Sequence, residues 1–303
     1  MMERQQQAEV LIIGGSYAGL AAAMALGRAR RRVIVLDSGR PCNQQTPHSH
    51  NFLTQDGETP EAIRSKARIQ VLAYPTVTLL AGEAVAAARQ GAGFVVSTAA
   101  GETIEAGKLI FATGVRDLLP ATPGFAEAWG ISVLHCPYCH GYEVRDEPLG
   151  VLGNGDMGFE FARLIHHWSP KLTLFTNGPA TLTSEQTQRL HHHGIRIVEA
   201  EIQRLDHAAG YLRSVELATG APVPLTALFA RMPFELHCPL PLELGCTLTE
   251  MGHLQVDEMQ RTSVPGIYAA GDATTPMRAV ATAVAAGNKA GAMLNHELIG
   301  EQF

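Results

Sequence analysis

Two short glycine turns, each set between an apolar strand and a small-residue helix, constrain this chain more than any other feature. The first, Gly14-Gly15-Ser16-Tyr17-Ala18-Gly19, follows the apolar stretch Ala8 to Ile13 and opens an alanine-rich helix, Gly19 to Arg30. The second, Gly153-Asn154-Gly155-Asp156-Met157-Gly158, follows Leu149 to Leu152 and opens Phe159 to Trp168. Glycines let the backbone turn tightly and bring a helix start close to the strand. The free amides at that helix start then face a pyrophosphate, whose charge the helix dipole favours. Each turn continues into a further strand, Arg32 to Asp37 and Lys171 to Thr176. One strand–helix–strand unit is therefore repeated. The repeat predicts an α/β fold of two Rossmann-like (three-layer ββα) dinucleotide-binding domains. A chain of 303 residues is long enough to give each a core.

Between the repeats, residues 60 to 73 read as a helix, Gly91 to Gly107 alternates like a β-hairpin, and Lys108 to Thr113 is a short strand. Pro- and Gly-rich stretches at Asp117 to Gly124 and Met232 to Leu242 read as linkers. They predict a second domain, residues 117–244, inserted into a first made of 1–116 and 245–303. Asp37 ends a strand where a carboxylate accepts hydrogen bonds from an adenosine ribose. Ser16 stands where the usual motif has its middle glycine, and is the next smallest choice that lets a phosphate approach. Near the far end, Gly266 to Ala270 stops at Gly271-Asp272. An aspartate there can bond a flavin ribityl chain. The helix beginning at Ala279 and Val280 would aim its amides at the flavin pyrimidine edge.

Hydrophobic residues make up 46% and charged residues 17%, the balance of a globular enzyme, and the net charge of -6 gives nucleic acid no basic face. No apolar run nears the ~20 residues of a membrane helix, and the N-terminal run before Gly14 is too short for a signal-peptide core. Cytoplasmic localisation is the expectation. Five cysteines do not make a disulfide scaffold in a chain of this length. Two of them form a C-x-x-C in Leu134-His135-Cys136-Pro137-Tyr138-Cys139-His140-Gly141-Tyr142-Glu143. Cys136 fits a helix N-cap and Pro137 the first helical position. That placement lowers the Cys136 thiolate pKa, and His135 and His140 can shuttle protons. A zinc site needs a second pair, which Cys238 and Cys246 do not supply, so no metal is expected.

The first glycine turn, Ala112-Thr113-Gly114 and the Gly271-Asp272 segment together resemble the two-domain flavoproteins. The C-x-x-C resembles that of the low-molecular-weight thioredoxin reductase family, closest to the branch that carries CPYCHGYE and includes dithiol oxidases. The resemblance covers nearly the whole chain. It implies FAD as cofactor, held by Gly14, Gly15, Ser16, Tyr17, Ala18, Gly19, Asp37, Asn43, Val85, Thr113, Gly114, Gly271, Asp272, Ala279 and Val280. The segment Thr46 to Leu53, with His48 and His50, is typical of the branch and implied to lie beside the flavin. Cys139 is implied to face the flavin as the charge-transfer thiolate, and Cys136 to attack the substrate disulfide. His140 stands where ordinary thioredoxin reductases have an aspartate proton donor. A homodimer and a domain rotation about the linkers are also implied.

In those reductases the strand after the second glycine turn leads to an arginine-containing segment that pairs the NADPH 2′-phosphate. Here Thr176 to Thr183, including Asn177, holds no cation. Losing a charge-assisted bond of ~1.5–3 kcal/mol predicts weak or absent NADP(H) use at Gly153, Asn154, Gly155, Asp156, Met157 and Asn177. Oxygen, ferredoxin or a second FAD in that domain remain as electron partners. The leading expectation is disulfide exchange with a thioredoxin-like protein or a small dithiol. The rivals are an oxygen-dependent dithiol oxidase releasing hydrogen peroxide and a non-catalytic flavin redox sensor.

Overall fold

The computed structural model describes residues 5–303. By contact density the chain divides into two compact units. The first holds the residues up to Gln44, Asn51–Arg116 and Phe234–Phe303; the second holds Gln45–His50 and Asp117–Pro233. The chain thus re-enters the first unit at Phe234, earlier than the 244/245 boundary expected from the proline-rich stretch. Cys238, Leu240 and Cys246 are buried in that unit's core beside Leu109 and Phe111, so the stretch is packed and not a free linker.

The first unit is built on a parallel sheet in which Gln5–Ile13 lies between Val33–Asp37 and Thr103–Phe111. Val77–Ala81 extends it beyond Val33–Asp37. The strand Thr103–Phe111 has two partners on its other side. Its first half pairs antiparallel with Gly93–Thr98, and its end pairs parallel with Ile267–Ala269. The second arm of the expected hairpin and the expected strand from Lys108 are therefore one continuous strand, Thr103–Phe111. Side chains alternate across the sheet, as pleating requires. Val10, Ile12, Val35 and Ile110 face the helices, while Leu11, Ile13, Leu36 and Leu109 face the antiparallel layer. The C-terminal helix Val280–Gln302 crosses Tyr17–Arg28 at very short range. A Cβ on Gly287 would stand 2.0 Å from the Ala18 carbonyl oxygen, so only glycine permits that crossing.

The second unit repeats the plan. Its parallel sheet runs, from one edge to the other, Arg196–Val198, Leu172–Phe175, Leu149–Leu152, Ala227–Ala230, Val133–Leu134. Phe159, Phe161, Ile165 and Leu190 pack on one face. Leu205, Leu212 and Val215, from an antiparallel layer, pack on the other with Phe125 and Trp129. Both units are Rossmann-like three-layer α/β folds, as expected. Among the described residues no helix is long and apolar enough to cross a membrane.

Candidate active site

In the first unit the glycine turn is fixed by sterics. A Cβ on Gly19 would lie 1.8 Å from the Gly14 carbonyl oxygen, and one on Gly14 would lie 2.3 Å from that of Ala112. The helix starts at Tyr17, two residues before the expected Gly19, so the Tyr17 and Ala18 amides already belong to its open first turn. Ser16 is the N-cap but its side chain caps nothing. Asp37 accepts a hydrogen bond from the Gly15 amide at 3.1 Å, while its other oxygen lies 3.8 Å from Arg68. The carboxylate is thus set against the turn, where it could accept from a ribose. A cleft opens beside it, lined by Ser16, Tyr17, Gly39, Asn43 and Arg64. The Tyr17 hydroxyl donates to the Pro60 carbonyl and accepts from Asn43.

Thr113 follows the strand Thr103–Phe111, and its hydroxyl oxygen is buried without a hydrogen-bond partner. Gly114 follows with φ 66°. Gly271 has φ 84° and approaches Ala18. The Asp272 carboxylate lies 3.7 Å from both Arg278 Nε and Cys42 Sγ. Ala279 is the N-cap of the 23-residue C-terminal helix and supplies no side-chain cap, so the amides from Val280 onward stay open. An orphaned hydroxyl, an uncapped long helix and a cradle that any Cβ would fill are the donor set a dinucleotide flavin requires. Val85 is half-exposed in Ala84–Gln90. Sequence reasoning did not single out Arg64, Cys42 or Arg278; no local motif marks them.

The dithiol belongs to the second unit. Pro137–His140 is a single helical turn with Cys136 as N-cap and Pro137 first, as the spacing predicts. Cys136 and Cys139 are disulfide-bonded, with Cα atoms 5.3 Å apart. Trp168 packs under the turn: a Cβ on Gly141 would meet its indole at 2.8 Å. Its ring meets Tyr138 edge-on at 5.5 Å. His135 lies against Trp129, 6.2 Å between ring centroids. His140 is set differently. Burial pushes its imidazole below the usual range, opposed by the Glu143 carboxylate and assisted by His50. An imidazole kept from charging is able to accept a proton from a thiol.

His48 and His50 lie on Gln45–His50, which packs with the second unit. His50 Nε2 is 3.6 Å from Glu143 Oε1, and its ring meets His140 edge-on at 6.3 Å. Glu143 is the acidic residue that sequence reasoning quoted but did not use. Its place three residues after His140 was the available signal.

The second glycine turn is closed on itself. Its helix is Gly155–Ile165, starting a turn before the expected Phe159. Asn154 caps it: its side-chain oxygen accepts from the Gly155 amide at 2.8 Å and from both the amide and hydroxyl of Thr181, at 2.8 and 3.1 Å. Asp156 accepts from Gln186 at 2.7 Å, and Met157 is exposed. Gly153 touches Gly158 at the strand–helix crossing. Asn177 spends its side-chain oxygen on the Ile202 amide.

The family model for pyridine nucleotide-disulphide oxidoreductases matches residues 8–290. The chain is 34% identical to the thioredoxin reductase tcpT of Claviceps purpurea, over 97% of this chain and 95% of that one. It is 32% identical to the thioredoxin reductase sirT of Leptosphaeria maculans, over 96% and 94%. Among solved structures, an oxidoreductase from Agrobacterium tumefaciens is 37% identical with a TM-score of 0.91, covering 97% of this chain and 99% of that one. HlmI is 36% identical with a TM-score of 0.92, covering 98% and 94%. The match runs through both glycine turns and the C-x-x-C alike, and the chain belongs to the pyridine nucleotide-disulphide oxidoreductases, as a flavoprotein of thioredoxin reductase type.

Proposed function

We propose that the chain is an FAD-dependent thiol–disulfide oxidoreductase whose Cys136–Cys139 disulfide exchanges with the dithiol of a thioredoxin-like protein or a small molecule. The observation that carries this is the disulfide at the start of Pro137–His140 followed directly by a half-buried histidine held below its usual pKa. A substrate thiol gives its proton to neutral His140 and attacks the Cys136 sulfur. A substrate–Cys136 bond forms, the Cys136–Cys139 bond breaks, and Cys139 leaves as the thiolate. The second substrate thiol then displaces Cys136 and closes the product disulfide. FAD, when bound, takes or supplies the electron pair.

Gly14, Gly15, Gly19 and the Tyr17 and Ala18 amides would hold the pyrophosphate, Asp37 the ribose, and Asp272 with the helix at Val280 the flavin portion. NADPH use is weak or absent in this reading. The glycine turn of the second unit spends the Gly155 amide on Asn154, and Glu199 accepts from the Ala180 amide at 2.8 Å where a 2′-phosphate would need a cation. The same observation favours a second reading, in which electrons arrive from a dithiol substrate and leave to oxygen as hydrogen peroxide. A homodimer belongs to the proposal.

The experiment is anaerobic flavin bleaching by dithiothreitol, by reduced thioredoxin and by NADPH. Bleaching by the thiols with little by NADPH is expected. Cys139→Ser should abolish a long-wavelength thiolate–flavin band that Cys136→Ser keeps. Normal turnover by both serine variants would remove the dithiol from the chemistry. Stoichiometric peroxide on readmitting oxygen with excess dithiol would favour the second reading.

A further inference from the structure

His50 is distant in sequence from the dithiol, yet it shares a carboxylate with the residue after Cys139. The segment Gln45–His50 is seated firmly on the second unit. A Cβ on Gly130 would meet Gln45 side-chain atoms at 3.1 and 3.2 Å and the Thr46 hydroxyl at 3.2 Å, and Ser49 is buried. That seating brings the His50 imidazole beside both Glu143, 3.6 Å from its Nε2, and His140, whose ring it meets 6.3 Å away at an interplanar angle of 87°. His48 is the other titratable ring near it, 6.5 Å away. The guanidinium of Arg145, two residues after Glu143, lies over the Tyr142 ring at 3.9 Å and donates to the Tyr142 carbonyl. Glu143 therefore has two imidazoles in reach, and the one within ion-pair distance is His50.

We infer that His50 is a positioning residue for dithiol exchange: by engaging the Glu143 carboxylate itself, it denies His140 a fixed counter-ion and keeps that imidazole neutral and able to take a thiol proton. This rests on the proposed role of His140 as base. The competition has a physical reason. A carboxylate at contact range favours the protonated form of an imidazole, whereas one whose oxygen already faces a second ring is less available to the first. The proton balance follows: one proton leaves the substrate thiol for His140, and none is supplied from His50 or Glu143. The pair sets the pH range in which His140 can act.

The test is a pH titration of the His140 ring by NMR on histidine-labelled whole protein, with the resonance assigned by His140→Asn. His50→Gln frees Glu143 to turn to His140 and should raise the His140 midpoint by about one pH unit, which lowers the neutral fraction by up to about tenfold at pH values well below both midpoints. Glu143→Gln should lower the midpoint. In the Glu143→Gln background, His50→Gln should lose most of its effect. An unchanged midpoint in His50→Gln, or an undiminished rise in the double variant, overturns the inference. Should His50→Gln unseat its segment, Glu143→Gln alone still decides, because a midpoint that fails to fall refutes the shared carboxylate. The parent reading fails separately. If His140→Asn leaves the pH dependence of disulfide reduction by dithiothreitol unchanged, His140 is not the base, whatever the NMR midpoints show.

Discussion

The 2′-phosphate offers a direct probe of the second unit. Adenosine 5′-phosphate and adenosine 2′,5′-bisphosphate differ only in the group that separates NADPH from NADH. A charge-assisted bond to that group contributes about 1.5–3 kcal/mol, roughly 10- to 150-fold in Kd. No residue of Thr176–Thr183 can supply it. The carboxylate of Glu199 instead holds the Ala180 amide at 2.8 Å. A carboxylate about 6 Å from a dianion costs about 1.4 kcal/mol in water before salt screening. Both terms point the same way, so the protein should bind the bisphosphate no more tightly than the monophosphate by titration calorimetry. Ala180→Arg with Glu199→Gln reverses both terms. Because the loop is exposed, the low end of the range applies, and a gain of about tenfold for the bisphosphate alone is expected. A tenfold preference for the bisphosphate in the unmodified protein would refute the reasoning. So would a double variant that gains equally for both ligands.

Gly19→Ala places a methyl carbon 1.8 Å from the Gly14 carbonyl oxygen, so the turn must open and the purified protein should lose its flavin, read as the ratio of absorbance at 450 to 280 nm. Lys108 is buried between Glu297 and Glu301, and Glu297 also accepts from the buried Tyr268, whose pKa is pushed up to about 12. Lys108→Met leaves Glu297 with the Tyr268 hydroxyl and with Arg261 at 3.9 Å, and should cost about 1–3 kcal/mol in urea unfolding. His253 is buried, its Nε2 has no hydrogen-bond partner, and burial followed by Arg278 holds its pKa below the usual range. The unfolded chain therefore binds the proton more readily, and stability from this residue is present above about pH 6.5 and lost as pH falls below it. His253→Phe should flatten the fall in urea midpoint between pH 7 and 5.5; an unchanged slope would assign the loss to other groups.

What was legible in the sequence was what is local. Gly19 and Gly153 announce strand–helix crossings because the chain a few residues away leaves no room for a Cβ. Cys136 and Pro137 announce a helix start because both positions have their own backbone chemistry. The helix starts themselves were read late, at Gly19 and Phe159 instead of Tyr17 and Gly155. Glycine reads as turn in a sequence, yet here it also serves inside the first helical turn, where the helix packs on the strand. The return to the first unit was misplaced for a related reason. Pro233, Pro239 and Pro241 suggest a linker, but Leu240 and Cys246 bury their side chains against Leu109 and Phe111. Proline content reports the backbone's stiffness, not whether the flanking side chains are buried.

The pieces that escaped the sequence are those made by two segments meeting. Glu199 and Ala180, Thr181 and Asn154, and His50 and Glu143 each join a loop to an element elsewhere in the chain. They have something in common in their chemistry. In the second unit several polar groups are taken by the protein's own side chains: Asn154 occupies the amide at the helix start, Glu199 an amide of the following loop, and His50 lies against the carboxylate beside His140. A turn whose amide is already hydrogen-bonded must break that bond before a phosphate can take its place, so its affinity falls by the bond's net worth, ~0.5–1.5 kcal/mol. Retention of the Rossmann framework in that unit is then explained by what it positions. Leu134 and Leu149 lie together in the core beneath Val144, and between them the chain carries the disulfide, His140 and Glu143. The framework serves the dithiol whether or not a nucleotide binds.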